Sequence, residues 1–178
     1  MTKYLSLEEH VKEYSIGISF SDWVDDTAKF GSLIVYINGC DNNCKDCHNI
    51  KLKERTSEIF YEDILTEIYF KLENTPIEHI IFSGGDPLSI KNRELVKKLI
   101  EELGKKYKIM VYTGNSKEVV KTLGITGCEY FKCGNYIPSL KQKSGHFGNE
   151  FRLASTNQEI IDGKTLEVLS KFGIFVKG

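Results

Sequence analysis

Short runs of β-branched and aromatic residues alternate along this 178-residue chain with longer stretches whose apolar residues recur at helical spacing. Such alternation is typical of parallel β-α units. The predicted strands cover residues 32–37, 77–82, 108–112 and about 129–132. Helices are predicted at 61–72, at about 92–103 and after the N-cap residue Ser116. Short closing strands are expected near 158–161 and 173–177, so the fold class is α/β.

The length of the chain limits how many such units it can hold. A closed barrel of eight β-α units needs about 250 residues, whereas 178 residues suit one domain of ordinary size. We therefore expect one domain over residues 1–178, folded as an incomplete, open (β/α) barrel of about five or six mainly parallel strands. No internal repeat, low-complexity run or linker marks a second domain.

Three closely spaced cysteines follow the first predicted strand. Cys40, Cys44 and Cys47 have the spacing Cys-x3-Cys-x2-Cys within residues 39–49. Thiolates are the soft ligands that iron–sulfur clusters favour, and a four-iron cluster has four corners while this loop offers three ligands. An iron without a protein ligand can bind a substrate, as the open position of a catalytic zinc does. The spacing thus indicates a catalytic 4Fe-4S cluster.

Two other interpretations of these cysteines stay open. His48 or a distant residue could complete a zinc site, although His48 directly follows Cys47 and the two side chains leave the backbone in different directions. The three cysteines could also be unrelated core residues. Cys128 and Cys133, five residues apart with no companion, are too few to enclose a second cluster and are interpreted as small apolar residues around a strand.

A glycine motif follows the second predicted strand. Gly84, Gly85 and Asp86 come shortly after residues 77–82. The two glycines allow close approach of the backbone, and the carboxylate suits a ligand that carries an ammonium group. Taken alone, Gly-Gly-Asp-Pro is also an ordinary turn. Its position, one β-α unit after the cysteine loop, favours a binding role because barrels of parallel strands build their active sites from strand-to-helix loops.

Taken together, the cysteine spacing after one strand and the glycine motif after the next resemble the radical S-adenosylmethionine superfamily. Within it, the chain most resembles the activating enzymes of anaerobic ribonucleotide reductase. The elements that carry this closer resemblance are Cys47-His48-Asn49, the Asp86-Pro87 ending of the glycine motif, Tyr112-Thr113-Gly114 and Thr156-Asn157-Gln158. They span about residues 39–158, which is most of the chain.

The resemblance implies a role for each element. The three cysteines would hold a 4Fe-4S cluster whose fourth iron binds S-adenosylmethionine, and Gly84, Gly85 and Asp86 would hold the ammonium end of that cofactor. His48 is expected near the adenine, and Thr113 is a further expected cofactor-binding residue. Reductive cleavage would give methionine and a 5′-deoxyadenosyl radical, which would abstract hydrogen from a glycine of the partner anaerobic ribonucleotide reductase. Reduced flavodoxin or a similar donor would supply the electron.

Composition agrees with an intracellular enzyme. The net charge of -1 gives no reason to expect nucleic acid, and no apolar run is long enough for a membrane span or, in residues 1–10, for a signal peptide. Five cysteines, an odd number, fit a reducing compartment, so we expect the cytoplasm. Alternatives are activation of a different glycyl-radical enzyme, deazapurine synthesis or, from another class, a zinc-binding interaction module.

Overall fold

The computed structural model describes residues 16–21, 32–54 and 60–176. Residues 1–10, on which the expectation about a signal peptide depends, lie outside these ranges. The main elements are β1 Ile16–Ser21, β2 Ser32–Ile37, α1 Tyr61–Leu72, β3 His79–Gly84, α2 Arg93–Leu103, β4 Lys108–Tyr112, α3 Lys117–Leu123, β5 Tyr130–Cys133, β6 Gly145–Phe147, β7 Glu150–Arg152, β8 Glu159–Asp162, β9 Ser170–Lys171 and β10 Ile174–Val176. Single turns of 3-10 helix cover Ile50–Leu52 and Pro138–Leu140.

The larger sheet has six strands in the order β1-β2-β3-β4-β5-β8. Strands β2 to β5 are parallel to one another, while β1 and β8 add antiparallel edges. The mixed α/β class and the mainly parallel sheet are thus confirmed. Curvature of this sheet into an incomplete barrel stays a prediction. The β1 strand was not predicted, although the alternation of apolar with small or polar residues in it is typical of a strand with one buried face.

Helices α1 to α3 cover one face of this sheet. Alternate strand residues pack beneath the helices, because successive side chains of a strand point to opposite faces; they are Leu33, Val35, Ile37, Ile80, Phe82, Ile109, Val111, Phe131 and Cys133. Cys128 is buried in the same core. The N-cap at Ser116 is confirmed, since its side chain accepts a hydrogen bond from the Val119 amide.

A second, smaller sheet contacts the opposite face. Its four antiparallel strands have the order β6-β7-β10-β9. Phe151 of this sheet packs with Leu153 against Ile81 and Met110 of the larger sheet. Residues 135–150 are mostly polar and contain glycines, and among them Gly148 adopts a φ of 65° and lets the chain turn back between β6 and β7. Glycine here is therefore a hairpin residue.

The parallel strands bring four loops to one edge of the sheet, because their carboxyl ends all lie there. The loops that follow β2, β3, β4 and β5 are therefore neighbours. Strand β3 runs two residues further than predicted, so Ser83 and Gly84 belong to the strand and Gly85 begins the loop. The chemically distinctive residues of the sequence are consequently gathered at a single edge.

Candidate functional site

The loop that carries the three cysteines, residues 38–49, is held against the turn that follows it. The Gly39 amide donates to the Leu52 carbonyl at 2.8 Å, and the Cys40 amide donates to the Lys53 carbonyl at 3.0 Å. We call residues 38–49 the cysteine loop. These two backbone bonds fix the start of the loop at the end of β2.

All three cysteines of this loop line one cavity. Cys40, Cys44 and Cys47 are free thiols with partly exposed side chains. The wall of the cavity is completed by His48 and Asn49 of the cysteine loop, by Ser83, Gly84 and Gly85, by Tyr112, Thr113 and Gly114, and by Asn42, Lys53, Lys132, Gly134, Asn135, Tyr136, Ala154 and Gln158. The four predicted residues His48, Gly84, Gly85 and Thr113 therefore share a cavity with the three cysteines.

The spread of the thiols bears on what they can hold. Within residues 32–54 and 60–176, no group of three or more Cys, His, Asp or Glu side chains is gathered closely enough for a single metal ion. A four-iron cluster places its irons at separate corners, and so its thiolate ligands need not converge on one point. Three thiols around a shared cavity are the arrangement that a cluster ligated at three corners requires.

Local contacts differ between two of the thiols. Burial raises the pKa of Cys40, while the Asn42 amide, 3.4 Å from its sulfur, opposes that rise by donating a hydrogen bond. The Cys44 thiol donates to Asn135 Oδ1 at 3.5 Å. Metal binding requires the thiolate, so an iron that binds these cysteines must displace the protons of their thiols. Iron supplies that stabilisation directly.

The two glycines of the motif are required by tight backbone packing. A Cβ on Gly85 would lie 2.4 Å from the Gly39 carbonyl oxygen, and one on Gly84 would lie 2.5 Å from backbone atoms of Ile37. Gly84 also has a φ of 122°, which side-chain-bearing residues rarely adopt. The Asp86 amide donates to the Gly39 carbonyl at 2.8 Å. The backbone of the glycine motif thus packs directly against the end of β2 and the start of the cysteine loop, and only glycine permits this close approach.

The Asp86 carboxylate lies beneath the cavity wall and is only 1% exposed. One oxygen accepts from the Thr113 hydroxyl at 2.8 Å and the Leu88 amide at 2.9 Å. The other accepts from the Asn42 side chain at 2.7 Å and the Gly114 amide at 3.0 Å. Burial raises the pKa of Asp86, and these four hydrogen bonds oppose the rise. The carboxylate therefore ties three loops together.

Two asparagine side chains make further bonds between the loops. Asn92, which is wholly buried, donates to the carbonyls of Asn38, Gly39 and Asp86 at 3.0, 3.2 and 3.0 Å. Asn49 donates to the Gly84 carbonyl at 3.1 Å. The cysteine loop and the glycine motif are thus joined by both main-chain and side-chain hydrogen bonds.

Two of the rings in the cavity wall come from loops and lie beside each other. The rings of His48 and Tyr136 have centroids 5.8 Å apart with an interplanar angle of 55°. Thr113 is buried; besides donating to Asp86, its hydroxyl accepts from the Asn115 amide at 3.1 Å. His48 thus forms part of the cavity wall, whereas the Thr113 hydroxyl is engaged by the protein.

Sequence reasoning missed several residues of this cavity. Asn42, Lys132, Asn135 and Tyr136 were not among the predicted site residues, although all line it. Three of them lie on β5 or in the loop after it, which ends at the same edge of the sheet as the cysteine loop. Position after the fourth predicted parallel strand was the signal that could have identified them.

Two comparisons relate the chain to known proteins. Residues 31–161 match the family model described as a 4Fe-4S single cluster domain. The chain is also similar to the anaerobic ribonucleoside-triphosphate reductase-activating protein of Enterobacteria phage T4, with 26% identity over 95 residues. That alignment covers 51% of this chain and 61% of the phage protein. The resemblance to these activating proteins, inferred from motifs, is thereby confirmed.

A search of solved structures finds no significant match. In the part of the chain that the structure describes, no helix has the length and apolar character needed to cross a membrane. A cytoplasmic location stays a prediction.

Proposed function

The chain belongs to the family of 4Fe-4S single cluster domains, and from this membership we propose that it is an activating enzyme for an anaerobic ribonucleotide reductase. The observation that carries the proposal is that Cys40, Cys44 and Cys47 line the same cavity as the strand-ending glycines. The activity for which the phage relative is named supports the choice of reductase. The alignment covers 61% of that relative, and we therefore propose, on partial similarity, that this chain has the same activity.

The three loop cysteines are proposed to hold three irons of the cluster and to leave one iron for S-adenosylmethionine. When bound and reduced, the cluster would supply the electron for splitting this cofactor into methionine and a 5′-deoxyadenosyl radical, and that radical would take a hydrogen atom from a reductase glycine. The protein contributes ligation and orientation. Its tied loops keep the thiols in place, because the Asp86 and Asn92 side chains hold the cysteine loop to the end of β3.

Cofactor binding is proposed to fall on the part of the cavity wall that the two glycines, His48 and Tyr136 form. The backbone of Gly84 and Gly85 would receive the ammonium end, and His48 with Tyr136 would contact the adenine. Asp86 belongs to the same motif, but its oxygens already accept four hydrogen bonds. We therefore assign it to holding the glycine backbone in position. Thr113 acts with it, through its hydroxyl.

The proposed reaction needs two partners. One is the glycyl-radical subunit of an anaerobic ribonucleotide reductase, and the other is reduced flavodoxin or a similar electron donor. Both would act in the cytoplasm. An open barrel would leave one side of the cavity accessible to the reductase glycine.

Electron paramagnetic resonance on the anaerobically reconstituted, reduced protein tests the cluster and its open iron together. We expect a 4Fe-4S signal that changes when S-adenosylmethionine is added. Alanine at any one of the three loop cysteines should remove this signal, whereas Cys128→Ala, which changes a core thiol, should retain it. Stoichiometric zinc in place of iron, or a full signal in the loop variants, would refute the ligand assignment.

A glycyl-radical assay then tests the partner. The reconstituted protein is mixed with a candidate anaerobic reductase, S-adenosylmethionine and a chemical reductant. The glycyl radical is then quantified by electron paramagnetic resonance. We expect a radical on the reductase that depends on the loop cysteines. Cofactor cleavage without any reductase radical would refute the partner while leaving the cluster chemistry intact.

A further inference from the structure

One lysine lies inside the cavity that the three cysteines line. Lys132 is on β5, where its neighbours Phe131 and Cys133 point into the core beneath the helices. Because strand residues alternate between faces, Lys132 points the other way, beside Tyr112 of β4, its partner in the sheet register. Its ammonium lies 5.9 Å from the centroid of the Tyr112 ring, and its side chain forms part of the cavity wall.

The charges around this cavity are unbalanced. Lys132 and Lys53 line it, but no Asp or Glu does. Within residues 32–54 and 60–176, no carboxylate makes an ion pair with Lys132. Burial lowers the pKa of Lys132 to about 8, while the charges of Asp86, Cys133 and Cys44 oppose that fall. Lys132 is half-buried, and the largest of these opposing charges is that of Asp86, which lies outside the cavity lining and already accepts four hydrogen bonds.

Thiolates would add negative charge beside Lys132. Three cysteines that bind iron bring three negative charges, which exceed the positive charge of an oxidised 4Fe-4S core by about one, and reduction of the cluster adds another. Cys44 is among the groups whose charge acts on Lys132. Because the cavity partly shelters these charges, their interaction is stronger than at a fully exposed surface.

We propose that Lys132 is the counter-charge of the thiolate-bound cluster, and that its ammonium raises the reduction potential by stabilising the reduced state. The inference rests on the proposed 4Fe-4S cluster. It assigns to the protein an electrostatic control of how readily the cluster accepts an electron. Lys53 cannot act in the same way, because its ammonium donates to Asn43 at 2.7 Å in an exposed contact, where solvent screens its charge.

The test is a redox titration of the reconstituted protein without S-adenosylmethionine, followed by electron paramagnetic resonance. Lys132→Met removes the charge and retains an unbranched stem. We expect the ratio of reduced to oxidised cluster at a fixed applied potential to fall about tenfold, which is a midpoint about 59 mV lower. Lys132→Arg keeps the charge and should leave the ratio within about threefold of the original protein. Lys53→Met, an equal charge change at the rim, should have a clearly smaller effect than Lys132→Met.

Iron and sulfide analysis of every variant accompanies the titration. An unchanged midpoint in Lys132→Met with full cluster content overturns the inference and leaves the proposed function standing. An equal shift in Lys53→Met overturns it as well, because the effect would then not depend on the position of Lys132. Should Lys132→Met not fold, Lys132→Gln takes its place with the same expectation. An original protein that assembles no cluster overturns both the inference and the proposed function.

Discussion

Replacing Asp86 by asparagine separates the charge of this side chain from its shape. In the folded protein the carboxylate accepts from Thr113, Leu88, Asn42 and Gly114. An asparagine oxygen can keep the Thr113 and Leu88 bonds. Its NH₂ group then faces the Asn42 side chain and the Gly114 amide, which are both donors.

The cost follows from the two bonds that Asp86→Asn loses. A hydrogen bond to a charged group contributes about 1.5–3 kcal/mol. Two such losses come to roughly 3–6 kcal/mol, and rotation of the Asn42 amide recovers about 1 kcal/mol. Because the variant no longer buries a charge, it avoids the cost of desolvating that charge, which offsets part of the remaining loss in stability. We expect a loss of about 3 kcal/mol in the free energy of unfolding.

Urea unfolding of the metal-free protein under reducing conditions measures this loss. With a slope of about 2–3 kcal/mol per molar urea, the midpoint should fall by about 1 M. Asp162→Asn is the control. The Asp162 carboxylate also accepts two backbone bonds, from Lys164 and Thr165, but it is more exposed, and asparagine can keep both. It should cost under about 1 kcal/mol.

The result that contradicts this reasoning is a small change at Asp86. If Asp86→Asn shifted the urea midpoint no more than Asp162→Asn does, the carboxylate would not be holding the three loops together. Unchanged stability combined with weaker S-adenosylmethionine binding would instead return Asp86 to the ammonium site that the family resemblance implies.

In the folded metal-free protein at pH 8, iodoacetamide should label the loop cysteines well before Cys128 and Cys133, because burial raises the pKa of Cys133 to about 12 and that of Cys128 further. Peptide mass spectrometry reads the order, and early labelling of a core thiol would contradict it. Gly85→Ala should lower the iron content after reconstitution, since its Cβ would meet the Gly39 oxygen at 2.4 Å. Gly124→Ala, whose Cβ would meet no atom within 4 Å and whose φ of 59° places the strain away from the cysteine loop, should not lower it. Phe82→Ala should cost about 3–5 kcal/mol in urea unfolding because the ring is wholly buried, and a loss below 1 kcal/mol would argue against that packing.

Most helices and parallel strands could be predicted because each has a strong local pattern. The helix at 61–72 and the strand at 108–112 have the predicted limits. The elements that were missed are short or weakly apolar: β6 and β7 have three residues each, and their hairpin depends on Gly148. Such strands gain their stability from packing on the larger sheet, which no local pattern reveals.

The sequence by itself was enough to predict a ligand set for the proposed cluster and the neighbourhood of that set. Cysteine spacing indicates the cluster, and the β-α alternation places the glycine motif beside the cysteine loop, because parallel strands end at a common edge. These inferences need only local spacing and chain order. The family match over residues 31–161 agrees with the first of them.

Only the tertiary structure decided what individual side chains do at that edge. Asp86 suited a ligand ammonium by its chemistry, but the fold surrounds it with donors from Asn42 and Gly114, which are 44 and 28 residues away in sequence. Nothing in the sequence distinguishes Lys132 from other strand residues, but in the folded sheet its side chain lines the cavity of the cysteines. Both outcomes depend on contacts between distant segments, and the energy of a buried charge is set by those contacts rather than by its sequence neighbours.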